Sequence, residues 1–144
     1  MKVKIKRLTN DAKVPTRGSD RAAGYDVYAS ETPLINEHTK VITIKTGIAL
    51  QPPKGWYFKL HPRSSCSKYR VALANSTGII DNDYTGEVIL KYYVVGGLAY
   101  TGIQKGDRVG QLVLDKYYDV DFVEVDDLTT TKRGKGGFGS SGVR

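Results

Sequence analysis

The chain has 144 residues, with 22 lysines and arginines against 15 acids, a formal charge of +7 and a sequence pI near 9.4. That length suits one domain whose core needs no disulfide or structural metal, and the single cysteine, Cys66, excludes an intramolecular disulfide. The basic balance favours a polyanionic partner, whether nucleic acid, a membrane surface or a phosphorylated small molecule, and does not choose among them.

The chain reads as all-β, taken from its start. KVKIKRL (2–8) alternates with period two, and its lysines read as the solvated face of a strand. No apolar run reaches membrane-spanning length and the first ten residues hold no signal-peptide core, so the expectation is a soluble, cytoplasmic protein, or one of the host cytoplasm or nucleus if viral. VITIKTGIAL (41–50), WYFKLH (56–61), EVILKYYVV (87–95), VGQLVLDK (109–116) and VDFVEV (120–125) are the further strand candidates. Turn signals separate them: PPKG (52–55), DNDYTGE (81–87), GG (96–97) and KGD (105–107). Short strands at close spacing predict a sandwich, jelly roll or barrel. At most one short helix is expected, after Ser64, since serine caps helix starts. Composition shifts at about Thr129, where a polar, glycine-rich tail begins. The domain reading is therefore 1–128 for the β domain and 129–144 for a flexible tail.

Five segments hold residues that can do chemistry, and each has a bland alternative. DRAAGYDVYAS (20–30) sets Asp26 after a small-residue turn, to meet a metal through water or merely to cap the turn. HPRSSCSKY (61–69) puts Arg63 beside Ser64 and Ser65 at a strand-to-helix junction, a phosphate-binding arrangement or a simple cap. ANSTGIIDNDYTGEV (74–88) places Asp81 and Asp83 two apart, on one side of an extended chain, or else in an ordinary acidic turn. KGDRVGQLVL (105–114) offers Gln111 as a polar contact. In RGKGGFGSSG (133–142), one aromatic ring sits among glycines that let backbone N–H groups approach an anion, so the tail reads as disorder or as a lid that closes on a nucleotide. Cys66 reads as a small buried hydrophobe. A P-loop NTPase is excluded, because no Gly-x-x-x-x-Gly-Lys is present. The dispersed lysines give no sign of a stable nucleic-acid partner.

In this order, over almost the whole length, the segments resemble the five motifs of the trimeric deoxyuridine triphosphate nucleotidohydrolases, the dUTPases. AAGYDVYAS is similar to the first, PRSS to the second, GIIDNDYTGEV to the third, KGDRVGQLVL to the fourth and RGKGGFGSSG to the fifth. The resemblance implies a jelly-roll, β-clip-like fold and a homotrimer whose active sites are shared between chains, with the tail crossing onto a neighbour. It implies hydrolysis of dUTP to dUMP and pyrophosphate, with Mg²⁺ as cofactor, supplying dUMP and keeping uracil out of DNA. It assigns Asp81 as the catalytic carboxylate that activates water, and Tyr84 as the ring under the deoxyribose. Asn75, with Gly78, Ile80 and the hairpin backbone, would read uracil. Arg63, Ser64 and Ser65 would hold phosphates, Gln111 would contact the α-phosphate region, and Asp26 would support Mg²⁺ through water. In the tail, Arg133 would bind the γ-phosphate, Phe138 would stack on uracil, and Gly139, Ser140 and Ser141 would close over the triphosphate. Asp83 is expected to pair with Arg108. The second motif departs from the usual Arg-Ser-Gly-Leu-Ala, running Arg63-Ser64-Ser65-Cys66-Ser67. An Arg-Ser-Ser segment also occurs in the dCTP deaminases of the same fold, which makes a deaminase or a bifunctional deaminase–diphosphatase the alternative. A non-enzymatic regulatory module is a further one.

Overall fold

The computed structural model describes residues 1–96, 102–137, 140 and 142. Its elements in chain order are β1 (Lys4–Arg7), β2 (Thr16–Arg17), β3 (Tyr25–Tyr28), β4 (Ile35–Asn36), β5 (Val41–Gln51), β6 (Trp56–His61), α1 (Cys66–Tyr69), β7 (Val71–Leu73), β8 (Gly78–Ile80), β9 (Glu87–Val94) and β10 (Arg108–Lys116). They form two antiparallel sheets. One runs β1-β5-β9-β7, with β4 also on β5, and the other runs β2-β3-β10-β6-β8. The all-β jelly-roll expectation holds, and among the described residues the one short helix begins just after Ser64, with Ser65 rather than Ser64 at the N-cap position.

Alternation explains the layering. On β5, Ile42, Ile44, Ile48 and Leu50 point inward, and on β9 Val88, Leu90 and Tyr92 do the same. From the other sheet come Val27, Phe58, Leu60 and Leu112, so both inner faces contribute to one core. The Tyr92 hydroxyl satisfies itself by donating to the Val109 carbonyl at 2.7 Å. The long β5 bends where its register against β9 shifts, between Lys45 and Ala49. Gly47 sits in that shift at φ +67, and a Cβ there would lie 2.9 Å from that of Ala12. Thr46 donates to the Val88 carbonyl at 2.6 Å, and Glu87 accepts from the Gly47 N–H at 2.7 Å.

One strand expectation fails. Residues 120–125 have the β-rich composition of a strand but form none. Both edges of β10, the strand they follow, are already paired, to β3 and to β6. A strand with no partner has nowhere to place its backbone hydrogen bonds. The segment instead runs exposed: Phe122 is 94% and Val123 80% accessible. No helix among the described residues is long and apolar enough to cross a membrane.

Candidate functional site

The first cluster forms where β3, β10 and the end of β6 meet. Gln111 lies opposite both Asp26 and His61 in register, so the chain leaving His61 passes directly beside it. Pro62 then ends β6, and its carbonyl accepts from the Gln111 carboxamide at 3.1 Å. Arg63 turns back over β3, and its Nε donates to Asp26 Oδ1 at 2.8 Å. Its Nη1 reaches Ser65 Oγ at 3.4 Å. Ser65 occupies the N-cap position of α1 but makes no side-chain cap bond. Its hydroxyl faces Arg63 instead, and the Ser64 carbonyl takes the Ser67 hydroxyl at 3.0 Å. Cys66 packs half-buried against the core, in line with the hydrophobe reading. Behind it, burial and the neighbouring Asp107 carboxylate push the Tyr69 phenol up, and its hydroxyl donates to Asp107 at 3.3 Å.

Asp26 is buried, yet it is a charged group whose two oxygens both have cationic partners, the second being Arg108 Nη1 at 3.3 Å. This corrects the expected Asp83–Arg108 pair: Arg108 reaches Asp26, while Asp83 lines a separate groove. A buried carboxylate is stable only when paired, and the arginines supply that.

The second cluster is β8 and the turn that leads from it, across to the other sheet, into β9. Gly78 is buried against Leu60, and a Cβ there would come within 3.2 Å of the Leu60 Cβ and 3.3 Å of Asn75 Nδ2. Thr77 and His61 approach at 3.4 Å, tying the start of β8 to the end of β6. Asn75 is exposed and Ile80 buried. Asp81 and Asp83 do not continue an extended strand. The Tyr84 N–H donates to the Asp81 carbonyl at 3.3 Å, which closes a turn and leaves both carboxylates exposed. The Tyr84 ring folds back on Gly86, where a Cβ would meet its hydroxyl at 2.6 Å, and that hydroxyl donates to the Glu87 carbonyl at 2.9 Å. Asn82 next to Asp81 donates to the Tyr117 hydroxyl at 3.0 Å.

Beside this turn lies an open groove of about 570 Å³, lined by Lys2, Lys4, Lys54, Asn82, Asp83 and Tyr117 among others. The sequence reading left Lys2 and Lys4 as strand-face residues. Only the pairing of β1 with the end of β5 brings them to Lys54, and nothing local in the sequence announces that.

Within one chain the Arg63 cluster and the Asp81–Tyr84 turn sit apart. Leu60 opposes Gly78 and Phe58 opposes Ile80, so Asp81 lies at the Trp56–Tyr57 end of β6. Arg63 lies beyond the opposite end. Six residues of extended chain span roughly 20 Å. In the tail, Arg133 is exposed and donates to the Gly136 carbonyl at 2.9 Å, and the Ser140 N–H donates to the Gly137 carbonyl at 3.0 Å. Phe138, Gly139 and Ser141 lie outside the described residues.

A family model for dUTPase matches residues 10–142. The deoxyuridine 5′-triphosphate nucleotidohydrolase of Kluyveromyces lactis is 42% identical over 97% of this chain and 93% of its own. That of Helicobacter pylori is 36% identical over 99% and 98%. Among solved structures, the dUTPase of Staphylococcus bacteriophage 80alpha with dUPNHPP superposes with a TM-score of 0.83 at 27% identity, covering 99% of each chain.

Proposed function

This chain belongs to the dUTPase family, a family of nucleotide hydrolases, and we propose that it cleaves dUTP to dUMP and pyrophosphate at a site built from two or more copies. The observation that carries the reading is the separation just described. The phosphate-type cluster (Arg63, Ser64, Ser65, Gln111) and the Asp81–Tyr84 turn lie at opposite ends of β6. Neither suffices alone. A homotrimer, as the family resemblance implies, would bring the turn of one chain to the cluster of another.

In that site the Asp81 carboxylate accepts a proton from the attacking water. The water oxygen bonds to the α-phosphorus, the bond from that phosphorus to the α–β bridging oxygen breaks, and pyrophosphate leaves with that oxygen. General-base help of this kind contributes about 10²–10⁴-fold. Exposed on a turn, Asp81 can meet both water and sugar, and the Tyr84 ring, braced on Gly86, would lie under the deoxyribose and exclude a 2′-hydroxyl, as the family resemblance implies. Asn75 and the backbone near Gly78 and Ile80 supply polar groups for uracil. Arg63, Ser64, Ser65 and Gln111 present donors to a substrate with about four negative charges. The tail, residues 129–144, acts as the lid, with Arg133 on the γ-phosphate and Phe138 on the base.

Among the described residues no three His, Cys, Asp or Glu side chains converge on a metal-binding point. Asp26, with both oxygens on arginines, fits a metal only through bridging water. That donor set suits Mg²⁺ held chiefly by substrate phosphates. Bound there, Mg²⁺ would neutralise phosphate charge and fix the triphosphate for in-line attack.

The deaminase alternative has the Arg-Ser-Ser segment in its favour, but the relatives matched over the whole chain are nucleotidohydrolases. Hydrolysis in ¹⁸O-labelled water tests the step itself. Label in dUMP supports attack at the α-phosphorus. Label in pyrophosphate would refute it.

A further inference from the structure

Strands β3 and β10 pair with one irregularity. Gln111 opposes Asp26 and Gly110 opposes Val27, but the next pair is Arg108 with Tyr28, so Val109 is an extra residue. Strict alternation would send Arg108 to the side of Gly110 and Leu112, both buried. The bulge re-aims it to the side of Asp26 and Gln111, and its Nη1 reaches Asp26 Oδ2 at 3.3 Å. Asp26 already has a closer partner in Arg63 Nε at 2.8 Å. One guanidinium is enough to neutralise one carboxylate. A second, with 49% of its side chain exposed, adds little stability and sets two like charges side by side. Among Arg63, Arg108 and Asp26 one positive charge is in excess, and guanidinium N–H groups remain that Asp26 does not use, one of them on the Ser65 hydroxyl, with Gln111 opposite Asp26 in register. Such an arrangement is favourable when an anion shares both cations.

We propose that Arg108 is a second phosphate-contacting guanidinium, held on the Asp26 carboxylate beside Arg63 so that the pair clamps the polyphosphate of the substrate. This rests on the reading above that the Arg63 cluster takes the phosphates of dUTP.

The test measures binding to Arg108→Gln, Arg108→Lys and the unsubstituted protein by calorimetry. The probes are α,β-imido-dUTP, inorganic triphosphate and deoxyuridine, which carries no phosphate. Arg108→Gln keeps Arg63 on Asp26, so the buried carboxylate retains a partner. The expected result is a loss of about tenfold or more for both triphosphates in Arg108→Gln, partial recovery in Arg108→Lys, and little change for deoxyuridine. Unchanged triphosphate binding in Arg108→Gln, or an equal loss for deoxyuridine, overturns the proposal. If inorganic triphosphate binds in an Arg108-dependent way while neither uracil ligand binds at all, the clamp stands and the dUTP reading falls. If no triphosphate binds the unsubstituted protein, both fall.

Discussion

Asp81 and Asp26 are both aspartates in segments that resemble family motifs, yet their surroundings are opposite. Asp81 is exposed on a turn, with its carbonyl already used by Tyr84 and its carboxylate open to water. Asp81→Asn keeps the shape and removes the proposed base. The expected outcome is a fall in kcat of about 10²–10⁴-fold with KM nearly unchanged, read from steady-state kinetics with dUTP. Asp26 is buried between two guanidiniums. Asp26→Asn leaves those guanidiniums without their counter-charge, and should cost roughly 1–3 kcal/mol in urea unfolding, less than a fully buried pair because Arg108 is half-exposed. It should also raise KM for dUTP, because Arg63 loses the bond that aims it. Sequence alone identified both aspartates as candidates. The family resemblance gives Asp81 the catalytic role and Asp26 a water-mediated place near Mg²⁺, but it does not show Asp26 buried between two arginines, because those partners stand 37 and 82 residues away.

At the scale of elements, register decides which side chains meet. WYFKLH reads as a strand and forms β6 over the same six residues, because its alternation is clean and β10 and β8 flank it. The short strands β2, β4, β7 and β8, of two or three residues each, carry too little periodicity to be read and exist because a longer neighbour pairs with them. The bulge at Val109 was equally invisible, and with it the destination of Arg108. Gly24 illustrates a close approach across β3 and β10: a Cβ there would collide with the Gln111 carboxamide oxygen. Gly24→Ala should therefore displace Gln111 and raise KM for dUTP several-fold, by about 1 kcal/mol of lost contact, with circular dichroism unchanged. Tyr92 links the two sheets. Burial, with Cys66 nearby as the smaller cause, holds its phenol well above the ordinary tyrosine range. The unfolded chain gives up that proton first, so this contribution to stability is complete below about pH 10 and is lost as pH rises toward the folded value. Tyr92→Phe should flatten that alkaline decline while costing about 1–2 kcal/mol at pH 8, since the Val109 carbonyl loses its buried donor. Urea melts at pH 8 and pH 11 check both.

At the scale of the whole molecule, the chain carries surfaces it cannot use by itself. Tyr118, Val120, Phe122, Val123, Val125 and Leu128 are all more than half exposed on a segment that joins neither sheet. Exposed apolar side chains this close together in sequence are expected to pack against another chain. Packing against a neighbouring copy would bury it and account for a β-like composition without an internal partner. The expected mass in solution is about 48 kDa, three times 15.9 kDa. Phe122→Asp should shift light scattering toward the single-chain mass and lower activity in parallel. A protein that stays trimeric and fully active with that substitution would show that the arm does not hold the assembly. The segment's composition was legible as strand-forming. Its lack of a partner was not, because that follows from β3 and β6 already flanking β10.

The most direct measurement is incubation with dUTP and, separately, dCTP, each with Mg²⁺, with products separated by chromatography. The expected products are dUMP and pyrophosphate from dUTP, with dCTP untouched. Conversion of dCTP to a uracil nucleotide, or no reaction with dUTP, would contradict the proposed function.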